Sequence, residues 1–544
     1  MNKKVLGTLL SVAAGSVILV SCKKDEPKKT EDKSPKVTAE VATEEKSIEW
    51  AKNAVFYEIF VRAFYDSDGD GIGDFRGVAE KTDYLKELGV DAVWLMPMME
   101  TTTYHGYDVV DYYKTNPDYG SMDDFKYMLD TLHQNNIKVV IDYVANHTSN
   151  KNEWFVDAIN KDNSPYRDYY SIYDEIPELP NMKVLRRDAD TGKLFIGYFD
   201  VIMPDLNYKN QKVRDEMKKV ADYWLDIGID GFRLDGAMHI DDDDMDVTFS
   251  WWKEFTEHVK EKDESAFIVG ENWSGSYKVI SQFYKTMDSS FDFPMCSMIE
   301  SLAGGKPNDA ITIINNELAS YEESASDSDS VVKEWAMSTM INNHDMERIA
   351  SRLSDDTNAA KVAANLLLTF PGTPFLYYGD ELGQTGRGTD IYKRESFDWY
   401  KAVEGKGFAS KFGVEGTPLR HAIADDGISY EEEKDDENSI YNRYRNLIKM
   451  RKNNKEFFTG KYESLGVHGN AFAYTISGDN EEYKIAVVHN VTTEEYVLGI
   501  NSDCYDLYNE TDLSKTDAYT IKPQDMLVIK YTGEMPLLFT EQED

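Results

Sequence analysis

The sequence predicts an α/β protein. Its main domain is a (β/α)8 barrel, with a small inserted domain after the third strand and a C-terminal antiparallel β-sandwich. The first observation is a helix followed at once by an apolar strand, at 84–95 and again at 223–234. In both copies the helix ends at a glycine, Gly89 or Gly228, which suits a left-handed C-cap. Alternating helix and buried strand is typical of a parallel sheet covered by helices.

Eight such strands can be placed along the chain. They lie near 54–60, 91–96, 137–143, 230–235, 267–271, 289–293, 336–343 and 373–378. The helix before the third strand is expected to begin with a capping box, Ser121 with Asp124, and to stop at Asn136. Eight βα units are the number that closes into a barrel.

The third observation is where this pattern is interrupted. The stretch 148–208, between the third and fourth strands, is longer than one unit needs, and it predicts the inserted domain. After Arg451 the helical periodicity is lost, and alternating runs such as 471–476 and 483–488 predict a β-sandwich over 453–544. The barrel is therefore expected in two parts, 50–147 and 209–452.

The N-terminus predicts a targeting segment over residues 1–22. Lys3 and Lys4 precede a mostly apolar stretch from Leu9 to Val20, and Cys22 follows it. This arrangement resembles a bacterial lipoprotein signal in which Cys22 is lipidated; a plain signal peptide or a short membrane anchor is the alternative. We expect a disordered tether over 23–49 and a position outside the cytoplasm, at the cell surface or facing the periplasm.

The charge balance limits the possible partners. The net charge is −40, with 99 acidic and 59 basic residues, which argues against binding nucleic acid or an anionic lipid surface. We expect a monomer that meets the membrane only through its lipid anchor. Cys296 and Cys504 carry no partner motif, so we expect two buried thiols, with a disulfide between them as the alternative.

Three carboxylates, Asp235, Glu271 and Asp345, each close an apolar run that reads as a barrel strand. The gaps between them are 36 and 74 residues, one and two units of a barrel that uses about 30–40 residues per βα step. Acids at the same end of three strands converge on one pocket, and a carboxylate pair there is what glycosidic bond cleavage needs. For any one acid alone, an ion pair at the barrel rim is the alternative.

Six short segments follow one another at the spacing of the barrel units. They are Asp142 to His147, Met203 to Asn207, Gly231 to Asp235, Gly270 with Glu271, Asn343 to Asp345, and Gly372 to Pro374 with Gly379 to Glu381. In this order they resemble the α-amylase family of glycoside hydrolases (family 13), from about residue 50 to the C-terminus. The resemblance implies an α-glucan substrate, with Asp235 as nucleophile, Glu271 as acid/base and Asp345 as stabiliser of the transition state.

The residues beside these acids fit such roles. Arg233 lies two positions before Asp235 on a strand, so both side chains face the same side, and a guanidinium there favours the ionised carboxylate. Glu271 must instead hold a proton at working pH. The resemblance further implies that the sugar pocket is walled by four histidines and a tyrosine that stacks on the sugar face, although a lone histidine is more often structural. These residues are His105, His147, His239, His344 and Tyr107, and Arg233 is expected to bind the substrate with them.

An acidic loop predicts a structural Ca²⁺ site. Side-chain oxygens alternate at positions 1, 3, 5 and 9 of this loop, and a backbone carbonyl is available at position 7. The residues concerned are Asp66, Asp68, Asp70, Asp74 and, for the carbonyl, Ile72. This is the front of an EF-hand-like loop, although position 12 is Gly77 rather than Glu. A solvated acidic turn is the alternative.

An older calcium site of the family is less well matched. Asn146 and the carbonyl of His239 could serve it, but Asn207 stands where the family usually has an Asp ligand. The acidic run from Asp241 to Asp244 is expected to be a solvated face.

Local features point to a subclass. His239 is kept as in endo-acting amylases, but Met238 replaces the lysine usual beside it, and His105 stands where exo-acting α-1,6-glucosidases carry an Asp. The segment 270–273 also leans toward amylases, while 203–207 is shared with neopullulanase-like members. We therefore expect a retaining endo-hydrolase of α-1,4-glucan. The alternatives are a neopullulanase- or oligo-1,6-glucosidase-like hydrolase or an α-glucanotransferase.

A non-catalytic starch-binding lipoprotein is the alternative from a different class. Such relatives lack at least one of the three acids, whereas this chain has all three.

Overall fold

Eight parallel strands close into a barrel in the computed structural model, which describes residues 47–178, 184–478 and 483–539. The strands, here β1 to β8 in chain order, are Phe56–Ile59, Ala92–Leu95, Lys138–Tyr143, Gly231–Leu234, Phe267–Gly270, Ser289–Phe291, Ala336–Met340 and Thr373–Tyr377. Each pairs with its neighbours in sequence, and β1 pairs with β8 to complete the ring. Every strand lies inside one of the predicted ranges, so the (β/α)8 barrel is confirmed.

Helices alternate with these strands along the chain, and further short helices lie in the connecting segments. The longer ones are Thr82–Leu88, Met122–Gln134, Glu153–Asn160, Gln211–Ile227, Met245–Lys262, Phe293–Ala303, Ala310–Ala325, Thr357–Thr369 and Ile440–Asn453. Shorter ones are Glu49–Lys52, Val61–Phe64, Phe75–Glu80, Tyr277–Ile280, Ile349–Arg352, Asp390–Lys393, Tyr430–Glu433 and Glu456–Thr459. Single 3-10 turns are Arg167–Tyr169, Ala237–His239, Ser281–Lys285 and Asp380–Leu382.

The predicted helix ends are found. Gly89 and Gly228 take left-handed φ angles of +100° and +111° at the helix C-termini, and Asn136 has a φ of +59° just after its helix. Ser121 and Asp124 form the expected capping box. These residues determine where each helix begins and ends, and so where the next strand can start.

The barrel interior changes from apolar to charged toward its C-terminal end. Phe56, Val140 and Phe291 belong to the buried apolar cluster inside the ring. Two residues further along β1 and β3, on the same inward face, stand Glu58 and Asp142. Both side chains are 2% exposed, so the strands place buried charged groups at the C-terminal end of the barrel.

The junction of the first and last strands is closed by a buried carboxyl group. The hydroxyl of Tyr57 on β1 donates to Oε1 of Glu381 at 2.5 Å, and the hydroxyl of Tyr84 donates to the same oxygen. Glu381 follows β8 in the chain and is fully buried. This hydrogen bond between Tyr57 and Glu381, which are 324 positions apart in the chain, links the first and last strands of the barrel.

Two smaller β structures flank the barrel. Between β3 and β4 lies an antiparallel sheet of Ile172–Tyr173, Leu194–Ile196 and Leu185–Arg187, in the stretch predicted as inserted. After β2 the strands Met99–Thr101 and Val109–Thr115 form a hairpin.

The C-terminal region contains two antiparallel sheets. One has the order Lys461–His468, Ala471–Ser477, Lys484–Asn490, Asp525–Tyr531, Cys504–Asp506 and Thr511–Leu513; the other has Thr516–Ile521, Tyr496–Ile500 and Leu537–Leu538. Side chains of both sheets, such as Val488 and Leu498, share one buried cluster. The predicted β-sandwich is confirmed.

The predicted signal peptide, Cys22 and nearly all of the predicted tether lie outside the described residues. In the part of the chain that the structure describes, no helix combines the length and the apolar character needed to cross a membrane. Cys296 and Cys504 are both buried and unbridged, as expected.

Candidate active site

A cavity of about 510 Å³ opens at the end of the barrel where the charged layer lies. All three predicted acids line it. Its walls are formed by His105, Tyr107, His147, Tyr198, Phe199, Asp200, Met203, Asp235, Gly236, His239, Glu271, Trp273, Asp345, Asp390 and Arg394. The convergence inferred from the spacing of Asp235, Glu271 and Asp345 is therefore present.

Two of the acids are held by adjacent strands. Asp235 directly follows β4 and Glu271 directly follows β5, and Leu234 is paired with Gly270 in the register of these strands. Asp345 is different, because β7 ends at Met340 and leaves Asp345 in the following loop. The expectation that Asp345 closes a strand is wrong; the apolar run continues beyond the last ladder position.

Arg233 joins three carboxyl groups beneath the cavity. Its Nη1 donates to Oδ1 of Asp142 and to Oδ1 of Asp235, both at 2.8 Å, and its Nη2 lies 2.9 Å from Oε1 of Glu271. Arg233 and Asp235 therefore share one side of the strand, as predicted. The guanidinium is fully buried behind the cavity wall, where its positive charge compensates the charge of the carboxyl groups that it contacts.

Glu271 is placed to retain a proton. Burial raises the pKa of Glu271, and the charges of Asp235 and Asp345 raise it further, against the opposing effect of Arg233. The amide of Gly236 donates to Oε2 of Glu271 at 3.1 Å, which fixes the carboxyl group beside Asp235. A carboxyl group that is neutral in this setting can act as a general acid.

Asp345 has the opposite character. Burial alone would raise the pKa of Asp345, but the charges of His344 and Arg394 hold it well below its usual range. Nη2 of Arg394 lies 2.5 Å from Oδ1, and Nε2 of His344 lies 3.0 Å from Oδ2. The side chain is still 33% exposed, and it lines the cavity. The cavity is thus lined by two acids whose pKa values are shifted in opposite directions.

His344 lies one layer below the cavity. It is fully buried, its Nε2 is 2.6 Å from the hydroxyl of Tyr107, and its Nδ1 is 2.6 Å from Oε1 of Glu58. The rings of His344 and Tyr107 are stacked with centroids 5.5 Å apart. Tyr107 lines the cavity, whereas the contacts of the His344 ring are with protein side chains.

Glu58 and Arg394 are site residues that the sequence reasoning missed. Glu58 could have been noticed, because it is the one charged residue in the strand Phe56–Ile59. Arg394 follows the short helix Asp390–Lys393 and has no distinguishing local pattern. Only the fold brings its guanidinium to Asp345 and its Nε to the carbonyl of His344, at 3.0 Å.

The other predicted histidines lie in the cavity wall. Burial lowers the pKa of His105 to about 4, with a further lowering from Arg394, so the ring is neutral. His147 is 1% exposed, and its Nε2 lies 3.0 Å from the carbonyl oxygen of Tyr107. Burial also lowers the pKa of His147. Both rings therefore present uncharged surfaces to the cavity.

One side of the cavity is aromatic. The ring of His239 stacks on Tyr198 with centroids 4.4 Å apart, and Phe199 meets the edge of His239 at 5.6 Å. Trp273 is 48% exposed and stacks on Phe293 at 4.8 Å. Met238, which distinguished this chain from endo-amylases, packs partly buried against the core and is not among the cavity-lining residues.

The predicted Ca²⁺ loop brings three of its four acids together. Oxygens of Asp66, Asp68 and Asp74 lie within 4.8 Å of one another, while Asp70 is exposed and its carboxylate accepts the amide of Ile72. Asp74 also caps the helix Phe75–Glu80 through Gly77. Three carboxylates at this spacing are a donor set suited to a hard divalent cation, so the residues fit Ca²⁺.

The older calcium site and the acidic run differ from expectation. The side-chain amide of Asn146 donates directly to the carbonyl of His239, and Asn207 bonds to the carbonyl of Asp168 at 3.3 Å. Asp241 is not solvated as expected; it is 6% exposed and lies 3.1 Å from the ammonium of Lys209.

Comparison with known proteins gives a consistent result. The family model for the α-amylase catalytic domain matches residues 58–460. Alpha-amylase 3 of Dictyoglomus thermophilum is 37% identical over 486 residues, covering 88% of this chain and 94% of that protein. The 4-alpha-glucanotransferase of Thermotoga maritima is 33% identical over 458 residues, covering 81% and 96%.

Among solved structures, an α-amylase from H. orenii superposes with a TM-score of 0.76 at 35% identity, covering 88% of this chain and 99% of that one. Together with the barrel and the three converging acids, these matches show that the chain belongs to the α-amylase family of glycoside hydrolases and transferases.

Proposed function

We propose that this protein is a retaining endo-hydrolase of α-1,4-glucans such as starch and maltodextrin. The observation that carries the proposal is the convergence of three acids in one cavity: Glu271 with a raised pKa, Asp235 bonded to Arg233, and Asp345 with a lowered pKa. Glycoside hydrolysis with retention needs a proton donor and a carboxylate nucleophile on opposite sides of one bond.

In the first step, an ionised oxygen of Asp235 attacks the anomeric carbon while Glu271 gives its proton to the departing glycosidic oxygen. The bond to the leaving sugar breaks, and a glycosyl ester of Asp235 forms. In the second step, Glu271 takes a proton from water, the oxygen of that water attacks the anomeric carbon, and Asp235 leaves as a carboxylate. Asp345 faces the positive charge that develops on the sugar ring in both steps.

Arg233 supports this cycle without touching the sugar. Nη1 bonds Asp235 and Nη2 lies beside Glu271, so the same cation faces both groups as their charges exchange. Protonation of the leaving group by a general acid, here Glu271, raises the rate by about 10²–10⁴-fold.

Cleavage within the chain, and not only at its end, is supported by the cavity walls. His105 in the cavity wall is a neutral residue, and it stands where exo-acting α-1,6-glucosidases carry an Asp. The partly exposed ring of Trp273 offers a face on which a second sugar can stack. The same face would serve an acceptor sugar, and the likeness to a 4-alpha-glucanotransferase makes glycosyl transfer the second candidate.

A product profile separates these activities. We expect amylose to give a rapid fall in iodine staining with maltooligosaccharides of mixed length, and pullulan to be cut more slowly. Products longer than the substrate from maltotriose would instead favour the transferase. Glucose alone as the first product from amylose would contradict endo-cleavage.

We also propose that the loop around Asp66 holds a structural Ca²⁺. Asp66, Asp68 and Asp74 would provide carboxylate ligands, and the ion would cancel the repulsion among them. The loop directly precedes the helix Phe75–Glu80, so the ion would fix the start of that helix.

The proposed location rests on the sequence alone. Cys22 after a short apolar stretch supports a lipid-anchored protein outside the cytoplasm. We expect the full chain to incorporate labelled palmitate and to partition with membranes. Cys22→Ser should abolish both properties, and labelling that persists in this variant would refute the anchor.

A further inference from the structure

Below the cavity lies a second layer of charge, and Glu58 belongs to it. The side chain is 2% exposed on the inward face of β1, and its Oε1 lies 2.6 Å from Nδ1 of His344. A charge at this depth costs free energy unless it is paired. Its contact with His344 supplies that pairing and connects β1 to the loop that carries Asp345.

The contacts of His344 determine where its protons lie. Nδ1 faces Glu58, and Nε2 faces Oδ2 of Asp345 at 3.0 Å. Carboxylate oxygens accept hydrogen bonds, so the contacts at both ring nitrogens favour a proton on each. The hydroxyl of Tyr107, 2.6 Å from Nε2, can then accept from the ring and donate to Oδ2 of Asp142 at 3.2 Å. A neutral ring would turn the lone pair of one nitrogen toward a carboxylate, whereas an imidazolium presents a proton to Glu58 and to Asp345 alike.

We infer that Glu58 is a positioning residue that keeps His344 as a cation, so that a fixed positive charge stands beside Asp345 throughout the reaction. For its kinetic consequence this inference rests on the proposed function. Glu58 contacts neither the cavity nor the reacting atoms; it acts through the ring of His344.

The charges around the ring determine how firmly it holds its protons. The ionisable groups facing His344 are Glu58, Tyr107, Asp142, Glu271, Asp345 and Arg394. Burial lowers the pKa of His344, but the charges of Asp345 and Glu58 raise it to about 10. Of these two carboxylates, only Glu58 is remote from the substrate, so it can be changed without altering the cavity wall.

Glu58→Gln keeps the shape and an acceptor oxygen but removes the charge. The imidazolium then retains only Asp345 as its anionic partner, and its pKa falls. Once neutral, with its proton on Nδ1, the ring turns a lone pair on Nε2 toward the carboxylate of Asp345. We therefore expect the variant to lose kcat at a lower pH than the wild type, in which loss of the Glu271 proton sets the alkaline limb. We also expect kcat to fall about 10–100-fold, the loss typical when the outer partner of a metal-bound histidine is removed. KM should change little.

The full chain carrying Glu58→Gln is to be compared with the wild type, Glu58→Asp and Glu317→Gln. Glu317 is a matched control, because it is also 2% exposed but lies on the outer helix Ala310–Ala325. A strongly downfield imidazole proton resonance should appear in the wild type and in Glu317→Gln. It should be absent in His344→Gln, which assigns it, and should vanish at lower pH in Glu58→Gln than in the wild type. Glu58→Asp, which keeps the charge, should restore part of the wild-type pH profile.

The inference is overturned if Glu58→Gln keeps the wild-type kcat and alkaline limb, or if the assigned resonance titrates unchanged. If Glu58→Gln does not fold, the resonance in the wild type decides: its loss below pH 7, near the ordinary pKa of about 6.5 for a histidine, would refute a held cation. A wild-type protein without activity on α-glucans would refute the proposed function, while the resonance would still report on His344.

Discussion

Replacing Asp235 by Asn separates the chemistry of the site from its folding. The amide has the shape of the carboxylate but cannot form the glycosyl ester. The structural question is what happens to Arg233, which is fully buried and loses one of its three acidic partners.

The contacts of Arg233 limit the loss of stability. A stranded buried charge costs about 3–5 kcal/mol, but Arg233 keeps Asp142 at 2.8 Å and Glu271 at 2.9 Å. One charge-assisted hydrogen bond is worth about 1.5–3 kcal/mol, and part of this is offset because one of several neighbouring carboxylates loses its repulsive charge. The loss is below the roughly 5–15 kcal/mol of a typical domain, so the variant should fold.

The loss of activity is larger. Removing a catalytic nucleophile costs on the order of 10⁴ in kcat or more, equivalent to at least about 5.5 kcal/mol of transition-state stabilisation. Loss of rate and loss of stability therefore differ enough to be told apart.

The assay measures reducing ends released from maltoheptaose, glucan binding by calorimetry, and the melting temperature of the same preparations. We expect no turnover, retained binding and a small change in melting temperature. Asp226→Asn, a change of the same kind on the outer helix Gln211–Ile227, should keep the wild-type rate. Turnover by Asp235→Asn close to that of the wild type would refute the assigned nucleophile, and unfolding would refute the account of Arg233.

Three further outcomes follow from the same contacts. Because burial raises the pKa of Glu271, kcat/KM should fall as pH rises through that raised value; an alkaline limb near the ordinary glutamate pKa of about 4.3 would contradict its role as acid. An NMR time course should show α-anomers as the first products, and β-anomers would rule out the retaining mechanism. EDTA should lower the melting temperature of the wild type, with Ca²⁺ found by elemental analysis. Asp74→Asn, which keeps a good helix N-cap, should remove that sensitivity, and an equal effect of EDTA on both proteins would place the metal elsewhere.

The barrel could be predicted from the sequence because each unit repeats its own local signals. Gly89 and Gly228 end helices at left-handed residues, and the strands after them are apolar runs of the right length. Asp235 and Glu271 were placed correctly because each directly follows its strand, so chain position alone determines where it lies.

Contacts between distant loops could not be predicted in this way. Asp345 lies in a loop whose path depends on the rest of the fold, and Arg394 reaches it from the loop after β8. The predicted calcium loop shows the same limit. Its alternating oxygens could be read from the sequence, but not that the carboxylate of Asp70 accepts the amide of Ile72 and lies outside the cluster. Sequence periodicity predicts individual helices and strands. It does not predict contacts between loops that are far apart in the chain.

The buried carboxyl group that joins β1 to β8 has a consequence for how the protein is made. Tyr57 cannot meet Glu381 until 324 more residues have been added, which takes about 16–65 s at the usual rate of about 5–20 residues per second. During that time β1 remains an unpaired apolar edge on the side that β8 later covers. Closure of this ring is therefore a late, long-range event, and the nascent chain is most open to aggregation before strand β8 is complete.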